Sequence, residues 1–99
     1  MITSVPDEHY EQFLKDTQIF AYPNPASDEL TIIFHLDRFE NVRVRIYDLS
    51  GRMVEDVVQS RMPPGELRVI TNIDSLPTGT YVAEVLIGNQ RKTAKIIKK

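Results

Sequence analysis

The chain has 99 residues, enough for one small domain, and its 41% hydrophobic and 26% charged residues are typical of a soluble globular protein. The net charge of −2 gives no general signal for nucleic-acid binding, and the absence of cysteine excludes disulfides, thiolate chemistry and cysteine-ligated metals. No apolar run is long enough for a membrane span, and the first residues lack the basic-then-apolar pattern of a signal peptide.

Charge is distributed unevenly between the two ends of the chain. Residues 1–20 contain four acidic residues and one lysine, whereas residues 91–99 contain five basic residues and no acid. A basic last segment is commonly a solvated face or the protection of an edge strand.

The segment "VPDEHYEQFLKD", residues 5–16, predicts a short helix. Pro6 suits a first helical turn that is followed by acids. Tyr10, Phe13 and Leu14 then lie near one face. Because so short a helix is marginal alone, we expect residues 1–18 either to dock on the rest or to serve as a linker.

From Leu30 onward the hydrophobic period changes to two, as in Leu30, Ile32, Phe34 and Leu36. Turn residues, among them Ser50-Gly51, "MPPGE", "DSLPTG" and Gly88-Asn89, separate the strand-like runs. The predicted strands are residues 30–36, 42–47, 53–58, 67–71, 81–87 and 91–97. Short strands at this spacing, without helical patterns between them, predict an all-β antiparallel sandwich or barrel.

The sequence shows no constellation for catalysis, metal binding or cofactor binding. The only two histidines, His9 and His35, have no partner at ligand spacing. Asp48 precedes Ser50-Gly51, where an Asx-type turn is its expected structural role. No Gly-rich phosphate loop or nucleophile motif occurs, so we expect the domain not to be an enzyme and to need no cofactor.

The stretch "YPNP", residues 22–25, places two prolines beside the strongest strand pattern. Pro23 and Pro25 lack backbone donors, so they fit an edge or a kink where the chain enters the sheet. A rigid turn at a domain boundary is the simplest interpretation.

The stretch "LPTGTY", residues 76–81, is typical of the tyrosine corner of Greek-key sandwiches. In that corner the phenol of the tyrosine hydrogen-bonds a backbone group a few residues upstream. The sequence therefore predicts this structural role for Tyr81.

Four motifs occur in order: "YPNPASDELTI", "VRIYDLSGRMV", "IDSLPTGTYVAEV" and the terminal "KTAKIIKK". Together they resemble the type A C-terminal sorting domain of the type IX secretion system of Bacteroidetes-type bacteria. The resemblance covers residues 19–99. Each motif alone is weak, but their order and spacing are specific.

The resemblance implies an Ig-like antiparallel β-sandwich of about seven strands, of Greek-key type, in residues 19–99, after a linker in residues 1–18. It implies an address that directs a larger cargo protein through the periplasm and across the outer membrane. The implied partners are the translocon, an outer-membrane shuttle protein, a sortase and the upstream cargo. The sortase would remove the domain during attachment to the cell surface or release, with cleavage upstream of the sandwich.

The resemblance also assigns positions, in two groups. Matching the structural motifs are Tyr22, Pro23, Asn24, Pro25, Gly51, Arg52, Gly79 and Tyr81. Matching the terminal sorting motif, where we expect recognition, are Lys95, Ile96, Ile97, Lys98 and Lys99. A basic and aliphatic last strand could dock by strand addition, or could merely complete the sandwich with its lysines guarding the edge.

Two other functions are weighed against sorting. A non-catalytic Ig-like or fibronectin-like module that binds carbohydrate or protein is the alternative, although it would be expected to expose aromatic residues and the chain has no tryptophan. An enzyme is disfavoured by the missing constellation. Met1 without upstream cargo fits an excised domain, or else a standalone protein that has kept the fold.

Overall fold

The structure is a computed structural model that describes residues 19–99. These residues form seven β-strands joined by turns and loops. The strands are β1 (Phe20–Tyr22), β2 (Glu29–Leu36), β3 (Glu40–Asp48), β4 (Met53–Met62), β5 (Gly65–Asn72), β6 (Gly79–Ile87) and β7 (Gln90–Lys98). They form a three-stranded sheet, β1-β2-β5, and a four-stranded sheet, β4-β3-β6-β7, with every strand pair antiparallel. The all-β antiparallel sandwich is thus confirmed, while the predicted helix in residues 5–16 lies outside the described residues.

The connections interlock the two sheets. The chain passes between the sheets three times, from β2 to β3, from β4 to β5 and from β5 to β6. Strand β5 pairs with β2, and β6 pairs with β3, so the β2–β3 and β5–β6 crossings lie side by side. This is the arrangement of the central strands of Ig-like Greek-key sandwiches.

The core fills the space between the sheets with the apolar phase of the central strands. In β2 the buried residues are the predicted alternate set, from Leu30 to Leu36. Val42, Val44 and Ile46 of β3 face them and are almost fully buried. Burial of each such side chain stabilises the fold by about 1.5–3 kcal/mol. A shift of one residue would turn these side chains to solvent, so their burial sets the strand register.

Two elements differ from the sequence prediction. The short strand β1 was not predicted, because three residues are too few to show a period. Strand β4 continues to Met62 instead of ending at Val58. Register shifts opposite Val44/Arg45 and Ile46/Tyr47 interrupt its alternation, since a bulge moves the following residues to the other face.

The tyrosine corner is confirmed. The Tyr81 hydroxyl donates to the carbonyl oxygen of Pro77 at 2.6 Å, and the tyrosine is buried. The bond ties the loop before β6 to the start of that strand, so this loop packs against the core instead of extending into solvent.

We expect Tyr81→Phe to lower the free energy of unfolding by about 0.5–1.5 kcal/mol, because the carbonyl of Pro77 loses its partner while the ring keeps its packing. Urea denaturation would measure the change. The matched control is Tyr22→Phe. It removes the exposed hydroxyl of Tyr22, which accepts a hydrogen bond from Arg68. That control should change stability by less than about 0.5 kcal/mol. An unchanged midpoint for Tyr81→Phe would contradict the corner's energetic role.

Candidate functional site

The four sequence motifs converge on one end of the sandwich, which we call the motif end. Asp48, at the last position of β3, lies opposite Tyr81 of β6, and Tyr81 lies opposite Ile96 of β7. Ala26, just after the two prolines, forms a parallel bridge with Lys98. Segments that are far apart in sequence therefore form one continuous surface.

Asn24 joins the YPNP motif to the terminal strand. Its side-chain Nδ2 donates to the carbonyl oxygen of Lys95 at 3.1 Å, and its Oδ1 accepts from the backbone N–H of Ile97 at 2.9 Å. An asparagine amide carries one donor group and one acceptor group, so it can bond to a strand edge much as a backbone peptide does. Asn24 thus acts as a side-chain substitute for a neighbouring strand.

Ala26 continues this pairing with its backbone. Its N–H donates to the carbonyl oxygen of Ile97, and its own carbonyl accepts from the N–H of Lys99, both at 2.8 Å. The Ala26 side chain is fully buried in the core. The segment after the prolines therefore covers the last part of the β7 edge.

The two prolines explain why a side chain takes over the bonding. Pro23 and Pro25 have no backbone N–H, so they cannot donate to β7, and both follow cis peptide bonds. Both rings are exposed, and Asn24 between them supplies the missing donor. The motif is therefore more than the rigid turn expected from sequence, because its central residue holds the terminal strand.

The terminal motif divides between the core and the solvent. Ile96 is 1% exposed and belongs to the core, and Lys98 is also buried, with its Nζ donating to the carbonyl of Lys99 at 3.0 Å. Lys95, Ile97 and Lys99 are exposed, with Ile97 at 41%. Three of the five residues predicted for recognition are thus exposed to solvent, and two are buried against the rest of the sandwich.

The DLSGR hairpin between β3 and β4 is organised by the Asp48 carboxylate, as expected for an Asx-type turn. Oδ1 accepts from the backbone N–H of Ser50 at 2.9 Å, from its hydroxyl at 2.7 Å and from the N–H of Arg52 at 3.0 Å. Oδ2 accepts from the Arg52 guanidinium at 3.2 Å. Gly51 has φ of 89°, a left-handed conformation that favours glycine.

These bonds lower the pKa of Asp48 below its ordinary value of 3.8. The largest cause is the hydrogen bond from the Ser50 side chain, followed by the bond from the Arg52 backbone. Both stabilise the ionised carboxylate. The turn therefore depends on a charged Asp48.

A cleft of about 570 Å³ lies at the opposite end of the sandwich, between the β2–β3 loop and the β6–β7 turn. It contains the Arg38–Glu40 ion pair at 3.0 Å and a contact of 3.3 Å between His35 Nε2 and Asp37 Oδ1. These are solvent-accessible pairs, and the cleft brings together none of the motif residues. Within residues 19–99 no group of histidine, aspartate and glutamate side chains could hold a metal ion.

Of the large exposed apolar residues, sequence reasoning named only Tyr22 and Ile97. It missed Phe20 and Ile70 on the outward face of the three-stranded sheet, Phe39 just before β3, and Leu49 and Met53 in the β3–β4 hairpin. Ile70 could have been found, because it occupies the polar phase of its strand. Leu49 gave no signal, since a turn has no hydrophobic period that it could violate.

The fold and the motif end define a class of protein, an antiparallel Ig-like β-sandwich whose motif residues form strand pairings and turns. Among residues 19–99 no helix is long and apolar enough to cross a membrane. The model of one family, described as the secretion system C-terminal sorting domain, matches residues 20–99. The chain belongs to this family, the sorting domains of the type IX secretion system.

Membership settles the general function. The domain is a C-terminal sorting signal, which implies export of the attached protein across the outer membrane to the cell surface or the extracellular space. The family is one of sorting signals and is not a known catalytic family. A search of curated proteins found no match to this chain.

We expect Asn24→Ala to lower the free energy of unfolding by about 1–3 kcal/mol, because two backbone groups of β7 lose their partner together. Hydrogen exchange of the Ile97 amide should accelerate more than that of amides in β3. The control is Asn41→Ala, at an exposed position of β3. Equal effects of the two substitutions would contradict the pairing role of Asn24.

The stability of the hairpin should depend on pH in the acidic range. Because the folded pKa of Asp48 lies below 3.8, ionised Asp48 stabilises the fold fully above pH 3.8, and this contribution is lost as the pH falls through the folded value. Asp48→Asn removes this titration. The difference in urea midpoint between wild type and Asp48→Asn should be constant near neutral pH and shrink below pH 3.8. A difference in urea midpoint that does not change with pH would contradict the stabilising role of ionised Asp48.

Proposed function

We propose that the secretion machinery recognises the motif end, and that the exposed residues Lys95, Ile97 and Lys99 of the terminal strand contact it. The observation that carries this proposal is the division of the terminal motif, in which alternate residues are buried in the sandwich while these three face solvent. A basic pair flanking an apolar residue suits a receptor surface that is acidic around an apolar patch.

The mode of contact follows from the edge of β7. Backbone groups of Lys95, Ile97 and Lys99 on that edge already bond to Asn24 and Ala26. A receptor strand could add there only by displacing the YPNP segment. Side-chain recognition is therefore favoured over strand addition at this part of β7.

The partners would be the translocon, an outer-membrane shuttle protein and a sortase, with a cargo domain preceding the sandwich. Removal by the sortase would take place in residues 1–18. Two observations support that position: the family match begins at residue 20, and Ile19 is buried in the core, so a cut within the sandwich would break its packing.

The test is export of a fluorescent reporter that carries a signal peptide and is fused to residues 1–99, in a bacterium with this secretion system. We expect the intact fusion to leave the cell and Lys95→Gln/Lys99→Gln to reduce export several-fold. The control, Arg38→Gln/Lys92→Gln, removes two positive charges near the opposite cleft and should not reduce export.

A reporter that remains in the periplasm with the intact domain would contradict the sorting function for this chain. Equal export of both double variants would contradict recognition through Lys95 and Lys99, but it would not contradict the sorting function. Mass spectrometry of the exported reporter should show loss of the sandwich, with a new end within residues 1–18. An exported reporter that still carries all 99 residues would contradict removal.

A further inference from the structure

Leu49 is the most exposed large hydrophobic side chain among residues 19–99, at 72%. It lies at the tip of the β3–β4 hairpin, in a turn, where polar residues are common. Single exposed apolar residues are common on protein surfaces, so exposure alone carries no function. Two further features distinguish Leu49.

The first feature is the rigidity of the turn that carries it. The Asp48 carboxylate accepts four hydrogen bonds from Ser50 and Arg52, which flank the tip. The backbone adds bonds from Asp48 N–H to the Arg52 carbonyl at 2.9 Å and from Gly51 N–H to the Asp48 carbonyl at 3.0 Å. These bonds fix the backbone on both sides of Leu49 and leave its side chain directed to solvent. Because the turn is already ordered, little backbone entropy would be lost when Leu49 binds a partner.

The second feature is its place beside the terminal strand. In the four-stranded sheet the hairpin extends β3, and β7 lies two strands away, about 10 Å across the sheet. The tip is level with the end of β7, because Asp48 is in register with Tyr81 and Tyr81 with Ile96. Leu49 therefore shares the motif end with the exposed residues Ile97 and Lys99.

The surroundings indicate the chemistry of the partner. Met53, 44% exposed, adds apolar surface at the base of the hairpin, and the side chain of Arg52 is largely exposed beside it. Lys95 and Lys99 add positive charge along β7 on the same sheet. The matching surface on a partner is an apolar pocket with acidic groups at its rim.

We propose that Leu49 is an anchor residue that inserts into such a pocket on a protein component of the export machinery. This inference rests on the proposed function, and it adds a second contact to the terminal strand. The hairpin and β7 form a two-point surface, which requires a folded sandwich because only the fold places the two segments side by side. A receptor that reads both points recognises the folded domain and not an isolated terminal peptide.

The first test compares Leu49→Ser with Ile70→Ser in the reporter fused to residues 1–99. Both side chains are more than half exposed, at 72% and 62%, so both variants should keep the urea midpoint of the parent. Ile70 lies on the outward face of the other sheet. Loss of a buried leucine contact weakens binding by about tenfold or more, so Leu49→Ser should reduce export strongly while Ile70→Ser does not.

A photo-crosslinking amino acid at position 49 or 70 gives a second reading that does not depend on stability. We expect position 49 to crosslink to a protein, in cells with the secretion system and not in cells that lack its translocon, and position 70 not to. The inference would be overturned if Leu49→Ser is exported as well as the unaltered reporter, or if position 49 crosslinks only to lipid. If the unaltered reporter itself stays in the periplasm, the proposed sorting function fails first and separately.

Discussion

The structure depends on the closure of the sandwich seam by the YPNP segment. Asn24 and Ala26 satisfy the outer edge of β7 from Lys95 to Lys99, which would otherwise expose unpaired backbone groups. The partners are separated by 71 and 73 positions, so this contact joins nearly the whole length of the domain into one closed unit. It also places a burial requirement on Ala26, whose methyl group has no room to be larger without moving the core.

That closure explains how one short strand can both complete the core and present a fixed set of side chains to solvent. Because β7 is paired on one edge to β6 and on the other to Asn24 and Ala26, its alternation is fixed: Ile96 faces the core and Ile97 faces solvent. A free terminal peptide would present both isoleucines and every lysine without order. The fold selects which of them reach solvent, and it brings the DLSGR hairpin to the same end of the sandwich.

Local patterns predicted those parts whose causes are local. The alternation of Leu30, Ile32 and Phe34 predicted β2 because burial of one face follows directly from a period of two. The tyrosine corner of Tyr81 and the turn at Asp48 were also predictable, since each bonds within four residues. The extent of β4 was not, because its register shifts are set by pairing with β3 and leave no regular period.

The sequence by itself determined the fold class, the turns and the order of the four motifs. The period of a strand, the residue types of a turn and the hydrogen bonds within a turn are properties of residues close together in the sequence. Only the tertiary structure decided that Asn24 binds β7, that Lys98 is buried while Lys95 and Lys99 are exposed, and that Leu49 lies at the same end as the terminal strand. These facts depend on which strands become neighbours, and that choice is made by the burial of the whole core between two sheets.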